Sequence, residues 1–390
     1  MPNGWIALSE RIGENGGMTH RVVFAPDSFK GTIGAAEAAA ALAAGWRSIR
    51  RHDEISLLPM ADGGEGTVAA FATAVPGARR MPVTVTGPAG APTVSEWLVL
   101  PPTPEAPHGT GVVELASTSG IELLGSPPRL RPLDAHTRGF GQAIAAALAH
   151  GVDRLVLGIG SSASTDGGAG LLTELGARLT DAAGRPIADG GRGLAGLAAV
   201  DLSHLVPLPP AGVTVLSDVT NPLLGARGAA AVFGPQKGAG PGEVATLDAG
   251  LARLSALIGV DPETPGAGAA GGTGFGLLGW GAVLVPGSAA VADLIGLRAA
   301  VAAASVVVTG EGSFDGQSAA GKVPAHVAAI AADTGVAVAL AAGRIAPGAD
   351  VSAFAGTVSL TGLAGSADAA MANPTRWLVE AGAELARALG

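Results

Sequence analysis

The chain has no cysteine, which excludes disulfides, thiolate nucleophiles and Cys-based zinc or iron–sulfur sites together. Any metal has to be held by oxygen or histidine. Charged residues make up only 14% of the 390 residues while apolar ones make up 48%, so composition excludes a disordered or nucleic-acid-coating chain. Mean hydropathy is positive, at +0.43. Even so, the longest apolar runs, such as Ala299 to Thr309, fall short of the roughly 20 residues that span a bilayer. The formal net charge of −9 argues against a nucleic-acid or anionic-membrane surface, yet leaves room for a local pocket that takes a small anion. There is no H-x-x-H, H-E-x-x-H or G-x-S-x-G pattern, which leaves zinc hydrolysis and acyl transfer without support.

What remains is a two-domain globular chain by length. Short runs rich in Val, Ile and Leu alternate with Ala-rich helical stretches, the α/β pattern. Buried strands are predicted at Arg21–Ala25, Ile55–Pro59, Arg154–Gly158, Val213–Ser217, Ser305–Thr309, Val336–Ala341 and Thr357–Leu360. From Pro76 to Leu115 the texture changes to extended segments broken by Pro and Gly, which predicts an antiparallel or mixed sheet. The expected organisation is a doubly wound α/β domain built from both chain ends (residues 21–75 and 286–390), with a second α/β domain (76–285) inserted between them. Residues 1–20 read as a polar leader ahead of the first strand, with Met18 as an alternative start. They carry no signal-peptide pattern, so the cytoplasm is the expected compartment.

Glycine is abundant, with 62 residues, so about one or two G-x-G-x-x-G matches arise by chance. Two of those present start at Gly266 and Gly274. Neither follows a strand, and a dinucleotide is set aside. Gly316 to Lys322 nearly matches a P-loop, but Val323 stands where the Mg²⁺-binding hydroxyl belongs. Two loops with near-identical wording are more informative: Asp62-Gly-Gly-Glu-Gly66 and Asp166-Gly-Gly-Ala-Gly170. Successive glycines ahead of a helix let backbone N–H groups converge on an anion; alternatively, each is a tight turn with an Asp cap. The serine run Gly160-Ser161-Ser162 before Asp166, Gly167 and Gly168 suggests a phosphate cup.

Of 23 basic residues only three are lysines: Lys30, Lys237 and Lys322, each in a glycine-flanked loop. A Lys ammonium is a compact point charge suited to phosphate and differs from the planar guanidinium. Acids stand just beyond the predicted strand ends: Asp27, Asp62, Asp166, Asp218, Glu311 and Asp315. Strand C-termini of open α/β sheets face the ligand crevice, where carboxylates can bind Mg²⁺ or take a proton from a hydroxyl.

Together these loops resemble the bacterial glycerate kinase family, the class that phosphorylates the 2-hydroxyl of D-glycerate. The resemblance runs in order through Ala25-Pro-Asp-Ser-Phe-Lys-Gly31, Ala61-Asp-Gly-Gly-Glu-Gly-Thr67 and Gly158 to Gly170. It continues through Asp218-Val-Thr-Asn-Pro-Leu223, Phe233-Gly-Pro-Gln-Lys-Gly238, Pro265 to Gly272, Thr309-Gly-Glu-Gly312 and Gly321-Lys-Val-Pro324. It covers nearly the whole chain after the leader. Ser161, Thr165 and the pair Ser313-Phe314 depart from the usual pattern, which bears on substrate preference. The resemblance implies a flavodoxin-like first domain and ATP-dependent phosphoryl transfer with Mg²⁺, acting on small molecules with neither nucleic acid nor membrane as partner. On that reading Lys322 and Lys237 meet phosphates, aided by Gly160, Ser161, Ser162, Asp166, Gly167 and Gly168. Asp27, Ser28, Lys30 and Asn221 hold the acceptor, Asp62 or Asp218 is the base, and Asp218 or Asp315 is the metal ligand. A kinase of another hydroxy acid or sugar, or a non-catalytic anion-binding protein, are the alternatives.

Overall fold

Strand-forming runs from opposite ends of the chain meet in one sheet. The computed structural model describes residues 19–315 and 323–390; the expected leader falls almost entirely outside them, as do Gly316 to Lys322. The strands are β1 Arg21–Pro26, β2 Glu54–Leu57, β3 Arg79–Thr86, β4 Pro92–Leu100, β5 Thr110–Glu114, β6 Arg154–Gly158 and β7 Arg178–Thr180. After them come β8 Ala199–Asp201, β9 Val213–Leu216, β10 Val283–Val285, β11 Val306–Phe314, β12 Ala337–Ile345 and β13 Gly356–Ser359. The first sheet runs β13-β12-β11-β1-β2 with every pairing parallel. Counted along the chain this is the order 2-1-3-4-5, one of the common doubly wound arrangements. Its central strands β1 and β11 are buried over most of their length, which accounts for their near-continuous hydrophobic sequence.

The second sheet runs β10-β9-β6-β5-β4-β3. β3, β4 and β5 are antiparallel neighbours, whereas β5, β6, β9 and β10 are parallel. The Pro- and Gly-broken stretch therefore does form the antiparallel side of a mixed sheet. Three short strands have no counterpart in the sequence reading: β7 and β8, which pair with each other, and the edge strand β10.

Hydrophobic burial orders the layers. Helices 35–49 and 374–389 cover one face of the first sheet, where Leu42, Trp46, Leu378 and Leu385 pack on Phe24 and Val308. These helices touch backbone to backbone because Gly45 and Gly382 are bare: a Cβ on Gly45 would stand 1.9 Å from the Val379 carbonyl oxygen, and one on Gly382 would stand 2.0 Å from that of Leu42. The opposite face, through Val23 and Val307, shares a core with helices 67–74, 287–294, 297–302 and 323–334. The same core takes in Leu98, Val112, Val156 and Leu216 from the second sheet. The far face of that second sheet packs on helices 138–150, 169–174 and 269–280. All strands of the first sheet lie in 21–57 and 306–359, and those of the second in 79–285; the inner helices serve both.

Candidate active site

The chain reverses direction in strand order between β1 and β11, and open α/β sheets bind ligands at such a point, outside the strand C-termini. A cavity of about 610 Å³ lies there. After β1 the chain turns sharply at Asp27, whose Oδ1 accepts from the Ser28 amide at 2.7 Å, and Gly31 takes a left-handed φ of 78°. The loop after β2 brings in Asp62, whose Oδ1 accepts from the Gly64 amide at 2.9 Å. Its neighbour Gly63 has φ +94°, and a Cβ there would be 2.4 Å from the Leu216 carbonyl oxygen, so only glycine lets this loop sit on the end of β9. From the second sheet comes Asp218, just past β9, with its Oδ1 fixed by the Gly287 amide at 2.8 Å.

Lys30 Nζ reaches Asp62 Oδ2 at 3.4 Å. Asp27, Ser28, Lys30, Asp62, Asp218 and Glu311 all line the cavity. The charges perturb one another. Burial, with the Asp62 charge second, lifts the Asp27 carboxyl to about 7, against the pull of the Ser28 amide and Lys30. Asp218 is likewise raised by burial, with the Gly287 amide opposing. Lys30 is held above its ordinary value chiefly by Asp62, in spite of its own desolvation. A carboxyl group poised near neutrality in a cleft beside a cation has the properties of a proton acceptor for catalysis.

Other expected site residues are placed elsewhere. Asp166 is wholly buried. Its Oδ2 accepts from the Thr137 amide and hydroxyl and the Gly170 amide, and its Oδ1 from the Gly168 amide. In this turn the Gly168 amide is taken up by the buried carboxylate and the Gly167 amide by the Gly271 carbonyl, and Asp166, Gly167 and Gly168 are absent from the cavity lining. Lys237 is 3% exposed, and its ammonium donates to the Ser164 carbonyl and, at 3.5 Å, to Ser162 Oγ. Burial pushes it down to about 7, with the Asp166 charge opposing. Thr165 Oγ1 is buried in the same run without a hydrogen-bond partner among the described residues. Gly160 donates to the Gly63 carbonyl at 2.9 Å, tying this loop beneath the Asp62 loop, while Ser161 is exposed in a left-handed conformation, φ 59°. Asn221 is turned to the Arg227 carbonyl. Asp315 follows β11 directly and is absent from the cavity lining, and Lys322 lies outside the described residues.

Two features of the site were not read from the sequence. Arg344, near the end of β12, brings a guanidinium to the cavity and approaches Ser313 Oγ at 3.5 Å. Its position at a strand C-terminus is the available signal in the sequence, masked there by the commonness of arginine beside the rarer lysines. Glu114, buried at the end of β5, accepts from the Val68 amide at 2.9 Å and is lifted to about 7 by burial; it fixes the start of the helix that follows the Asp62 loop. No group of three or more His, Cys, Asp or Glu side chains among the described residues is arranged to hold a metal. An ion held partly by a bound ligand's own phosphates needs only one or two protein carboxylates, and several carboxylates, Asp218 among them, line the cavity.

A doubly wound sheet with lysine, arginine and several carboxylates gathered at its switch point defines an α/β protein that handles a small charged ligand. The chain belongs to the glycerate kinase family, whose model matches residues 22–390. It is 41% identical over 318 residues to the glycerate 2-kinase of Escherichia coli K12, covering 80% of this chain and 82% of that one. It is 41% identical over 332 residues to the glycerate kinase of Bacillus subtilis 168, with 83% and 85% covered. The crystal structure of a protein assigned as glycerate kinase 2 from Salmonella typhimurium LT2 superimposes with a TM-score of 0.80 at 38% identity, covering 95% of this chain and 98% of that one.

Proposed function

We propose that this protein is a glycerate 2-kinase that transfers the γ-phosphoryl group of ATP to the 2-hydroxyl of D-glycerate, giving 2-phosphoglycerate and ADP. The observation that carries the reading is the meeting of Lys30, Asp27, Asp62 and Asp218 from distant loops in one cavity, in a chain of this family. Phosphoryl transfer is mostly positioning and charge stabilisation. The acceptor hydroxyl oxygen attacks the γ-phosphorus, its proton passes to a carboxylate, and ADP leaves. Asp62 is our choice of base, because Lys30 holds its Oδ2 in place at the cavity; Asp27, buried and half-titrated near pH 7, can relay or accept the proton. Lys30 and Arg344 supply positive charge for the acceptor carboxylate and the transferring group, and Lys322, outside the described residues, is our further candidate for a phosphate contact. Mg²⁺ carried by the nucleotide would neutralise charge on the β- and γ-oxygens, with Asp218 as its protein ligand and Asp315 the second candidate.

We further read the portion 21–75 with 286–390 as a flavodoxin-like unit carrying the cavity and 76–285 as the inserted one. We place the enzyme in the cytoplasm, working on small molecules; no helix among the described residues is long and apolar enough to cross a membrane. The test is to incubate the protein with ATP, Mg²⁺ and D-glycerate and to identify the product by phosphorus NMR. 2-Phosphoglycerate is the expected product; 3-phosphoglycerate would overturn the regiochemistry, and no phosphorylated product would overturn the reading.

A further inference from the structure

The cavity changes character along the edge of the first sheet. The strand order sets β2, β1, β11, β12 and β13 side by side, roughly 4.8 Å apart, so the groups at their C-terminal ends stand in a line. Asp62 follows β2, Asp27 and Lys30 follow β1, Glu311 and Arg344 lie towards the ends of β11 and β12, and Thr361 comes just after β13. The charged groups occupy the β2-to-β12 stretch. Beyond it the wall turns apolar, made by Leu360, Ala370, Met371 and Pro374. Leu360 and Ala370 are buried, but Met371 is 56% exposed, a large apolar side chain on the cavity wall that serves no core.

This wall is held in place. Its three helices, 360–364, 367–372 and 374–389, are capped in turn by Ser359, Ser366 and Asn373, each cap satisfying backbone donors that would otherwise be open. Thr361 Oγ1 donates to the Gly343 carbonyl at 2.8 Å, and Trp377 Nε1 donates to the Ala369 carbonyl at 3.0 Å.

We infer that the apolar wall at the β13 end is the base slot of the nucleotide: adenine lies against Leu360, Ala370 and Met371, and the triphosphate runs past Arg344 towards Lys30 and Asp62. The inference rests on the kinase reading and adds an orientation to it. Three strand spacings, roughly 14 Å, separate the wall from the loop after β1, a span suited to an extended nucleoside triphosphate. Its order, from apolar through cationic to carboxylate-rich, is that of base, phosphates and acceptor. Glycerate, with three carbons each bearing oxygen, has no face to offer Leu360 and Met371, whereas a heteroaromatic base gains from covering apolar surface at about 25 cal/mol per Å².

The test is Met371→Asp in the full chain, with Met371→Leu as the conservative partner. Because Met371 is exposed, neither change disturbs the core, which thermal unfolding checks. Met371→Asp should weaken ADP binding, measured by isothermal titration, and raise KM for ATP, both about tenfold, equivalent to ~1.4 kcal/mol. KM for glycerate should stay within about twofold, and Met371→Leu should restore nucleotide binding. An unchanged ADP affinity, or a shift confined to glycerate, overturns the slot even if the enzyme phosphorylates glycerate normally. If the wild-type chain leaves glycerate untouched, the kinase reading falls, and the ADP titration still decides the slot. An 8-azidoadenosine diphosphate probe gives an independent readout: labelling should fall within residues 360–374 and be blocked by ATP but not by glycerate, and labelling elsewhere counts against the assignment.

Discussion

The loops that follow β2 and β6 share almost the same words, Asp-Gly-Gly-x-Gly, and the same local turn, since Asp62 and Asp166 each accept through Oδ1 from the amide two residues on. They differ in where the second carboxylate oxygen goes. In Asp62 it faces the cavity and Lys30; in Asp166 it is saturated by Thr137 and Gly170 inside the protein. A five-residue code thus sets backbone shape, and the surroundings decide whether the same acid faces a cavity or the interior.

Substitution should separate the two. The largest effect is expected for Asp62→Asn, a loss in kcat of about 10²–10⁴ typical of a missing acid–base group, with little change in thermal midpoint; full activity would place Asp62 among the architectural acids. Asp166→Ala should behave the other way, losing roughly 3–5 kcal/mol of stability as its buried donors go unsatisfied, read by urea unfolding. If that variant keeps wild-type stability, the distinction collapses.

Titration sharpens the contrast between crevice and interior. Asp27 has a folded pKa of about 7, above its unfolded value, so the folded state holds an extra proton, and this group's stabilisation, full below about pH 4, is lost as pH rises through 7. Lys237 has the reverse sign: its folded pKa, about 7, lies below the unfolded value, so its contribution is present above about pH 10 and lost as pH falls through 7. Lys237→Met should flatten the alkaline limb of a stability–pH curve and Asp27→Asn the acidic limb; an unaltered slope in either would show that the group does not titrate as described. At the small end, Arg298→Gln removes an exposed pair with Asp333 and should cost less than ~1 kcal/mol in the same unfolding assay, a baseline for the buried changes.

Much of this was legible beforehand, for identifiable reasons. β1, β6, β9 and β11 announce themselves because strands buried on both faces need continuous Val, Ile and Leu, and a glycine-bearing turn with an acid after such a strand marks the crevice side. That logic pointed to Asp27, Lys30, Asp62, Asp218 and Glu311, which the structure brings to one cavity. It did not foresee the burial of Asp166 and Lys237, because glycine flanks report a tight turn without reporting what packs over it; here helix 138–150 begins over the Asp166 turn, through Thr137. Arg344 was hidden by the commonness of arginine. The apolar wall was illegible because Leu360, Ala370, Met371 and Pro374 scatter over three helices whose approach to one another is decided only by tertiary contacts.

Val22 of β1 pairs with Val306 of β11, and the Ser305 hydroxyl meets Arg21 across 284 positions of sequence. At roughly 5–20 residues per second of synthesis, the first strand to leave the ribosome waits on the order of 15–60 s for its neighbour. A polypeptide interrupted between Asp62 and β11 would carry Lys30 and Asp62 yet lack the strand that pairs with β1 beside them, and its bare strand edge would invite chaperones or proteases.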